Sequence, residues 1–246
     1  MENGLYVREM SLREAIPGSP YYADLPVVRH LMRQPLRFTR PVTFLVGENG
    51  VGKSTLIEAL AAALGFNPEG GSRNFRFSTA DSHSGLSGYL RVVRGPVAPR
   101  DGFFLRAESF YNAATYLDEM GYEALEPYGG RSLHQQSHGE SFLALVENRF
   151  FGRGLYILDE PEAALSPMRL MRLMCLMHAL AENHSQFIIS THSPILMTFP
   201  DSEVMEISGQ GIRSVPYRET EHYQVTRRFL EAPERMLAYL LEDDAQ

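Results

Sequence analysis

The chain has 246 residues, 44% of them hydrophobic and 22% charged, which excludes a disordered tail or a fibrous repeat and suits one large α/β domain spanning 1–246. Its net charge of −7 argues against nucleic-acid binding by bulk electrostatics. The single cysteine, Cys175, excludes an internal disulfide and makes a reducing cytoplasm the expected compartment, while no apolar run approaches the ~18 to 20 residues of a membrane helix. Residues Met1 to Gly4 lack a basic and apolar leader pattern, so no secretory signal is expected. Of the 23 basic residues 22 are arginine, and the one lysine is Lys53.

In chain order, the pattern predicts a short strand around Leu5 to Val7, a loop at Pro17 to Tyr22, and a basic stretch holding Arg29, His30, Arg33, Arg37 and Arg40. The β-branched run Val42 to Val46 reads as a buried strand, followed by a glycine-rich turn, Gly47 to Gly52, and a helix from Ser54 to Leu64 closed by Gly65. Residues 66–84 read as a polar loop carrying Arg73 and Arg76. Strands follow at Tyr89 to Val93 and Phe103 to Ala107, then a mostly helical lobe over approximately 109–152. Another buried strand, Leu155 to Leu158, precedes a helix from Met168 to Leu180 with Ser166 as N-cap and Pro167 at its first position; a third core strand is Phe187 to Ile189. Alternation of this kind predicts a mostly parallel sheet flanked by helices. The methionines at 168, 171, 174 and 177 are expected to face the core, and Cys175 to be buried and inert.

Gly47-Glu48-Asn49-Gly50-Val51-Gly52-Lys53-Ser54-Thr55 fits the G-x-x-x-x-G-K-[ST] phosphate loop and lies between a predicted strand and helix, as that loop must. Glycines let successive N–H groups turn inward at a phosphate, and the helix N-terminus adds its positive dipole end. Lys53 would reach the β- and γ-phosphates of ATP, and Ser54 would offer its hydroxyl to Mg²⁺. The strand at 155–158 ends in Asp159 and Glu160, which places one carboxylate at the metal and the other behind the γ-phosphate to orient and deprotonate water. His192, at the end of the next strand, is a candidate γ-phosphate contact. Ser137-His138-Gly139-Glu140-Ser141 opens a helix; it is both a capping box and an anion site in waiting.

These four motifs in this order resemble the ATP-binding cassette (ABC) ATPases over Val42 to Pro194. The wording Gly47 to Gly50, Asp159 to Glu162 and Ser190 to Pro194 is similar to the soluble branch with RecF-like, SMC-like and overcoming-lysogenization-defect ATPases, including short bacterial AAA-family ATPases built of the cassette alone. The resemblance implies an α/β P-loop fold with an N-terminal antiparallel β portion and a helical signature lobe. It also implies a head-to-tail homodimer in which Ser137 and Gly139 serve ATP held by the partner chain, with Ala164 to Ser166 as an interface loop. Arg73 stands where SMC-like members carry an activating arginine.

Two departures stand out. The signature reads Ser-His-Gly-Glu-Ser, and no glutamine follows the strand at Phe103 to Ala107, where Glu108 takes its place. With only 83 residues between Lys53 and Ser137 there is no room for a long coiled-coil arm. Tyr21, Tyr22 and Phe38 are candidates for adenine stacking, each with core packing as the plainer alternative. The expected activity is Mg²⁺-dependent ATP hydrolysis in a switch acting on DNA or with a nuclease partner in repair or phage defence. The alternative is a detached ATPase subunit of a membrane transporter, and a small-molecule kinase ranks last because it leaves the signature helix and His192 unexplained.

Overall fold

The computed structural model describes residues 4–18, 20–68, 70–71, 85–107 and 137–243. Two sheets organise these residues. The small one is antiparallel: β1 (Val7–Leu12) lies between β2 (Leu36–Arg37) and β4 (Leu90–Arg94). The large one runs in the order β5 (Asp101–Arg106), β6 (Gly154–Asp159), β7 (Gln186–Ser190), β3 (Val42–Val46), β8 (Glu203–Ser208), β9 (Gly211–Ser214), parallel throughout except for β9.

The central strands β3, β6 and β7 are buried at every residue because helices cover both faces of the sheet, which is why they read as unbroken apolar runs. Leu45, Ile157 and Ile188 point to one core, shared with α1 (Pro26–Arg33), α2 (Lys53–Ala63) and the small sheet. Phe44, Tyr156, Phe187 and Ile189 point to the other, beneath α3 (His138–Arg149), α4 (Pro167–Glu182) and the single turn α5 (Pro194–Met197). The chain then adds α6 (Glu221–Glu231) and α7 (Pro233–Asp243). Gln186 knits the sheets together: its Oε1 accepts from the backbone N–H of Tyr6 at 2.8 Å and of Val7 at 2.9 Å, and its Nε2 donates to the Val7 carbonyl at 2.8 Å.

Three expectations need correcting. The first strand begins at Val7 instead of ending there, because only Val7 and Met10 of β1 are buried and its polar residues face outward. In α4 the core face is Leu170, Leu173 and Met177, while Met168 and Met171 are exposed. A step of three residues falls short of the 3.6-residue turn, so a stripe at that spacing winds round the helix, and nine residues carry Met168 to the side opposite Met177. Cys175, two residues from both Leu173 and Met177, is exposed. Ser166 does stand at the N-cap of α4 with Pro167 behind it, but its side chain makes no capping bond. The lobe expected over 109–152 is described only from Ser137 onward, as α3.

Candidate active site

Three parallel neighbours, β3, β7 and β6, bring their C-terminal ends to one edge of the sheet. Open α/β sheets bind ligands at that edge. From β3 issues the glycine turn that feeds α2, from β6 Asp159 and Glu160, and from β7 Thr191 and His192. Lys53, Asp159, Glu160 and His192, separated by up to 139 positions in sequence, thus converge.

Gly47 has a φ of +145°, and a Cβ there would stand 2.3 Å from the carbonyl oxygen of Ile207 on β8. Gly50 has a φ of +82° with open space around it. Val51 is buried and its carbonyl accepts from Val27 N–H at 3.3 Å, tying the turn to α1, whereas Asn49 is exposed. Lys53, the first residue of α2 after Gly52, is only 4% exposed, and its ammonium donates to the carbonyls of Gly47 at 2.7 Å and Glu48 at 3.0 Å. Burial lowers its pKa, opposed by the carboxylates of Glu160, Asp159 and Glu162. Ser54 and Thr55 follow on the first turn of α2, half-buried.

Asp159 is buried, accepts from the Ser190 hydroxyl, and lies 3.3 Å from Nε of Arg106, whose Nη1 reaches Glu58 of α2 at 3.2 Å. Desolvation raises the Asp159 carboxyl, and the Ser190, Arg106 and Ser54 contacts oppose that rise. Glu160 has a φ of +49°, a left-handed conformation that costs a non-glycine residue about 1 to 2 kcal/mol, and its N–H donates to the Ser190 carbonyl at 3.1 Å. The bend sets its carboxylate 3.4 Å from Nε2 of His192. Glu162, to which the sequence assigned no role, accepts from the Thr191 hydroxyl at 2.8 Å and from the His192 N–H, so it fixes the histidine segment from below. Burial raises its carboxyl too.

His192 has a lowered pKa, through burial first and the nearby Lys53 charge second. Its Nδ1 lies 2.9 Å from Nε2 of His222 in α6, a contact for which no sequence signal exists. Its Nε2 is buried without a hydrogen-bond partner among the described residues. An orphaned ring nitrogen, a buried ammonium satisfied by its own loop, and a helix N-terminus form a donor set that fits a polyphosphate. The Ser54 hydroxyl and Asp159 carboxylate are hard oxygen donors of the kind Mg²⁺ takes. Among the described residues no group of three or more His, Cys, Asp or Glu side chains forms a metal cage, so a metal here would draw its other ligands from phosphate and water.

A cavity of about 500 Å³ flanks the turn, lined by Gly47, Glu48 and Val51 on one side and by Glu221, His222 and Arg228 of α6 on the other. None of the three aromatic candidates for adenine lines it: Tyr22 and Phe38 are buried in the core, and Tyr21 is exposed with its ring edge-on to Tyr22. Ser137 is exposed at the N-cap of α3; the Glu140 carboxylate accepts from its backbone N–H at 3.0 Å and its hydroxyl at 2.7 Å. Arg169 of α4 donates to Ser137 Oγ at 3.1 Å and to Glu140 at 2.9 Å, with Gly139 buried beside it. In the basic stretch, Arg29, Arg33, Arg37 and Arg40 are exposed, Arg37 pairs with Glu9, and His30 is buried, its Nδ1 accepting from Ile212 N–H at 3.0 Å. Arg73 and Glu108 lie outside the described residues.

A parallel sheet in which β3 feeds a glycine loop and helix, and β6, one strand removed beyond β7, ends in two carboxylates, is the architecture of the P-loop nucleoside triphosphatases. Residues 29–95 match a family model described as "AAA domain", and residues 131–198 match one described as "AAA domain, putative AbiEii toxin, Type IV TA system". The chain is similar to ABC transporter G family member 22 of Arabidopsis thaliana, 24% identical over 69% of this chain and 25% of that protein. It is also similar to the DNA repair protein RAD50 of Drosophila melanogaster, 31% identical over 38% of this chain and 7% of that one. It therefore spans a quarter or less of the curated relatives it matches. The fold is that of cbiO1 from Clostridium perfringens, part of the ABC transporter complex cbiONQ, with a TM-score of 0.52, 18% identity and coverage of 97% of this chain and 99% of that one. The chain thus has the fold of the P-loop ATPases of the ABC type and matches AAA-domain models over its phosphate-loop and carboxylate segments.

Proposed function

We propose that the four converging side chains hydrolyse Mg²⁺-ATP. The observation that supports this most directly is the 3.4 Å approach of His192 Nε2 to the Glu160 carboxylate beside the Lys53 loop. Lys53 leaves its own loop carbonyls and binds the β- and γ-phosphates, assisted by the backbone from Gly47 to Ser54. Ser54 and Asp159 would hold Mg²⁺, which would neutralise phosphate charge. Glu160 accepts the proton of the attacking water, and His192 donates to the γ-phosphate from Nε2. Two chains pair head to tail around ATP, Ser137 and Gly139 of each serving the nucleotide of the other. For this Arg169 and Glu140 hold the N-terminus of α3 ready.

The dimer acts as an ATP-driven switch in DNA repair or phage defence; the RAD50 likeness and the toxin-linked model over 131–198 favour this. The second reading, an ATPase subunit of a transporter, is favoured by the cbiO1 likeness over nearly the whole chain. No helix among the described residues is long and apolar enough to cross a membrane.

Lys53→Ala should abolish phosphate release; wild-type turnover in that variant would remove the site. Mixing inactive Lys53→Ala with inactive Ser137→Arg should restore part of the activity, since the heterodimer contains one composite site. No recovery, with Glu160→Gln remaining monomeric in saturating ATP, would show that the chain works alone. DNA affinity should fall steeply with salt and with Arg29, Arg33, Arg37 and Arg40 changed to Glu, and undetectable binding at low salt would leave a protein client.

A further inference from the structure

The strand-end histidine is half of a pair. His222 enters from the first turn of α6, whose N-cap, Thr220, is fully buried, accepts from Tyr223 N–H at 3.4 Å and donates to the Tyr217 carbonyl at 2.7 Å. That anchor sets the His222 ring 4.9 Å from the His192 ring, with Nε2 of the former 2.9 Å from Nδ1 of the latter.

Two neutral imidazoles sharing one N···N contact must divide the roles, one ring donating and the other accepting. If His192 donated through Nδ1, its Nε2 would carry a bare lone pair. That lone pair would face the Glu160 carboxylate at 3.4 Å, acceptor against acceptor, at a ring nitrogen shut off from solvent. If His222 donates through Nε2, His192 accepts at Nδ1 and carries its proton on Nε2, turned toward Glu160. Only the second arrangement sets a donor against an acceptor at both contacts. The low basicity of His192 agrees with it, since a neutral ring is the form that has a tautomer to choose.

We infer that His222 is a positioning residue of the ATPase site: by donating its Nε2 proton to His192 Nδ1, it holds His192 in the tautomer that presents N–H, not a lone pair, to Glu160 and the γ-phosphate. Its role is exercised through His192, whose Nδ1 lies 2.9 Å from its Nε2. The inference rests on the proposed roles of Glu160 and His192, but the tautomer itself is measurable without turnover.

The experiment is a long-range ¹H–¹⁵N spectrum of histidine-labelled full chain near pH 8, with His192 and His222 assigned by substitution. Eight histidines keep the spectrum tractable. His192 should show a protonated Nε2 and an unprotonated Nδ1, and His222 a protonated Nε2. In His222→Leu, kcat should fall about ten- to a hundredfold, the range for losing a partner that orients a site histidine, with KM for ATP within twofold. His222→Gln, whose amide nitrogen can donate from the place of Nε2, should recover most of that loss, and equal melting temperatures exclude a folding defect. A protonated Nδ1 on His192 in the wild type, or equal kcat in the Leu and Gln variants, would overturn the inference. If His192→Ala and Glu160→Gln both hydrolyse ATP normally while the expected tautomer is seen, the proposed chemistry fails and the pairing stands.

Discussion

The phosphate loop permits a comparison between two of its own glycines. At Gly47 an added Cβ would meet the Ile207 carbonyl oxygen at 2.3 Å, and that oxygen belongs to the backbone of β8, paired with β3 on one side and β9 on the other. Nothing there yields as a flexible side chain would. The cost combines a φ of +145°, about 1 to 3 kcal/mol for a residue other than glycine, with overpacking of similar size, for a total of about 2 to 6 kcal/mol. At Gly50 a Cβ meets nothing within 4 Å, leaving only the positive-φ cost of about 1 to 2 kcal/mol. For a chain of this size each kcal/mol lowers the melting temperature by about 2 to 4 °C. Gly47→Ala should therefore lose about 4 to 24 °C and Gly50→Ala at most about 8 °C, read by circular dichroism without nucleotide so that binding energy does not mask the difference. The Gly47 carbonyl also accepts from Lys53, so the first variant should bind ATP worse per degree lost. Equal losses, or a smaller loss at Gly47, would refute the geometry assigned to the turn.

Asp159→Asn should abolish metal-dependent hydrolysis yet raise the melting temperature of the nucleotide-free protein. Its folded carboxyl is raised by burial, so the wild type gains from the protonated form at low pH and loses that gain as pH rises through the folded value. The advantage of the variant over wild type should thus be small near pH 4 and widen toward pH 7, and a difference that shrinks with rising pH would contradict this. Cys175 is exposed, so a thiol reagent should titrate one equivalent in the native protein without denaturant; a thiol accessible only after unfolding would restore the buried reading. Tyr156→Phe keeps the ring stack on Phe150, centroids 4.0 Å apart, but removes the hydroxyl that donates to Asp101 at 2.8 Å and accepts from Gly152 N–H. Asp101 keeps its bonds from Arg149 and from Phe151 N–H, so the buried Gly152 N–H is the group that loses its partner; the change should cost about 1 to 3 kcal/mol, a fall in melting temperature of about 2 to 12 °C, measured by the same thermal melts.

What the sequence made legible follows from how these residues are buried. β3, β6 and β7 are covered on both faces, so their apolar runs are continuous and their ends, where polar residues begin, coincide with the site. Asp159 and Glu160 end the run of β6, His192 lies two residues past β7, and Lys53 follows the glycine turn after β3, so local spacing alone marked all four as candidates, which the fold brings together. β1 is covered on one side only, and its two buried residues are too few to fix its start. On α4 a stripe of similar residues concealed the helical phase, which Leu170 and Leu173 set instead. Glu162 lay inside a phrase already singled out, yet its bonds to Thr191 and His192 depend on β6 and β7 being neighbours. His222 is a lone histidine on a helix with no buried residue, so only tertiary structure reveals its partner.

The one lysine of this chain is Lys53, held at 4% exposure with its ammonium against two carbonyls. Every other cationic side chain in the arginine–lysine class is a guanidinium, inert to acylating and aldehyde reagents under conditions that modify amines. Amine chemistry on the native protein is therefore confined to the α-amino group and the phosphate loop. Acetylation of that single side chain would erase the one ammonium charge of the loop, with no other lysine in this sequence to absorb the modification.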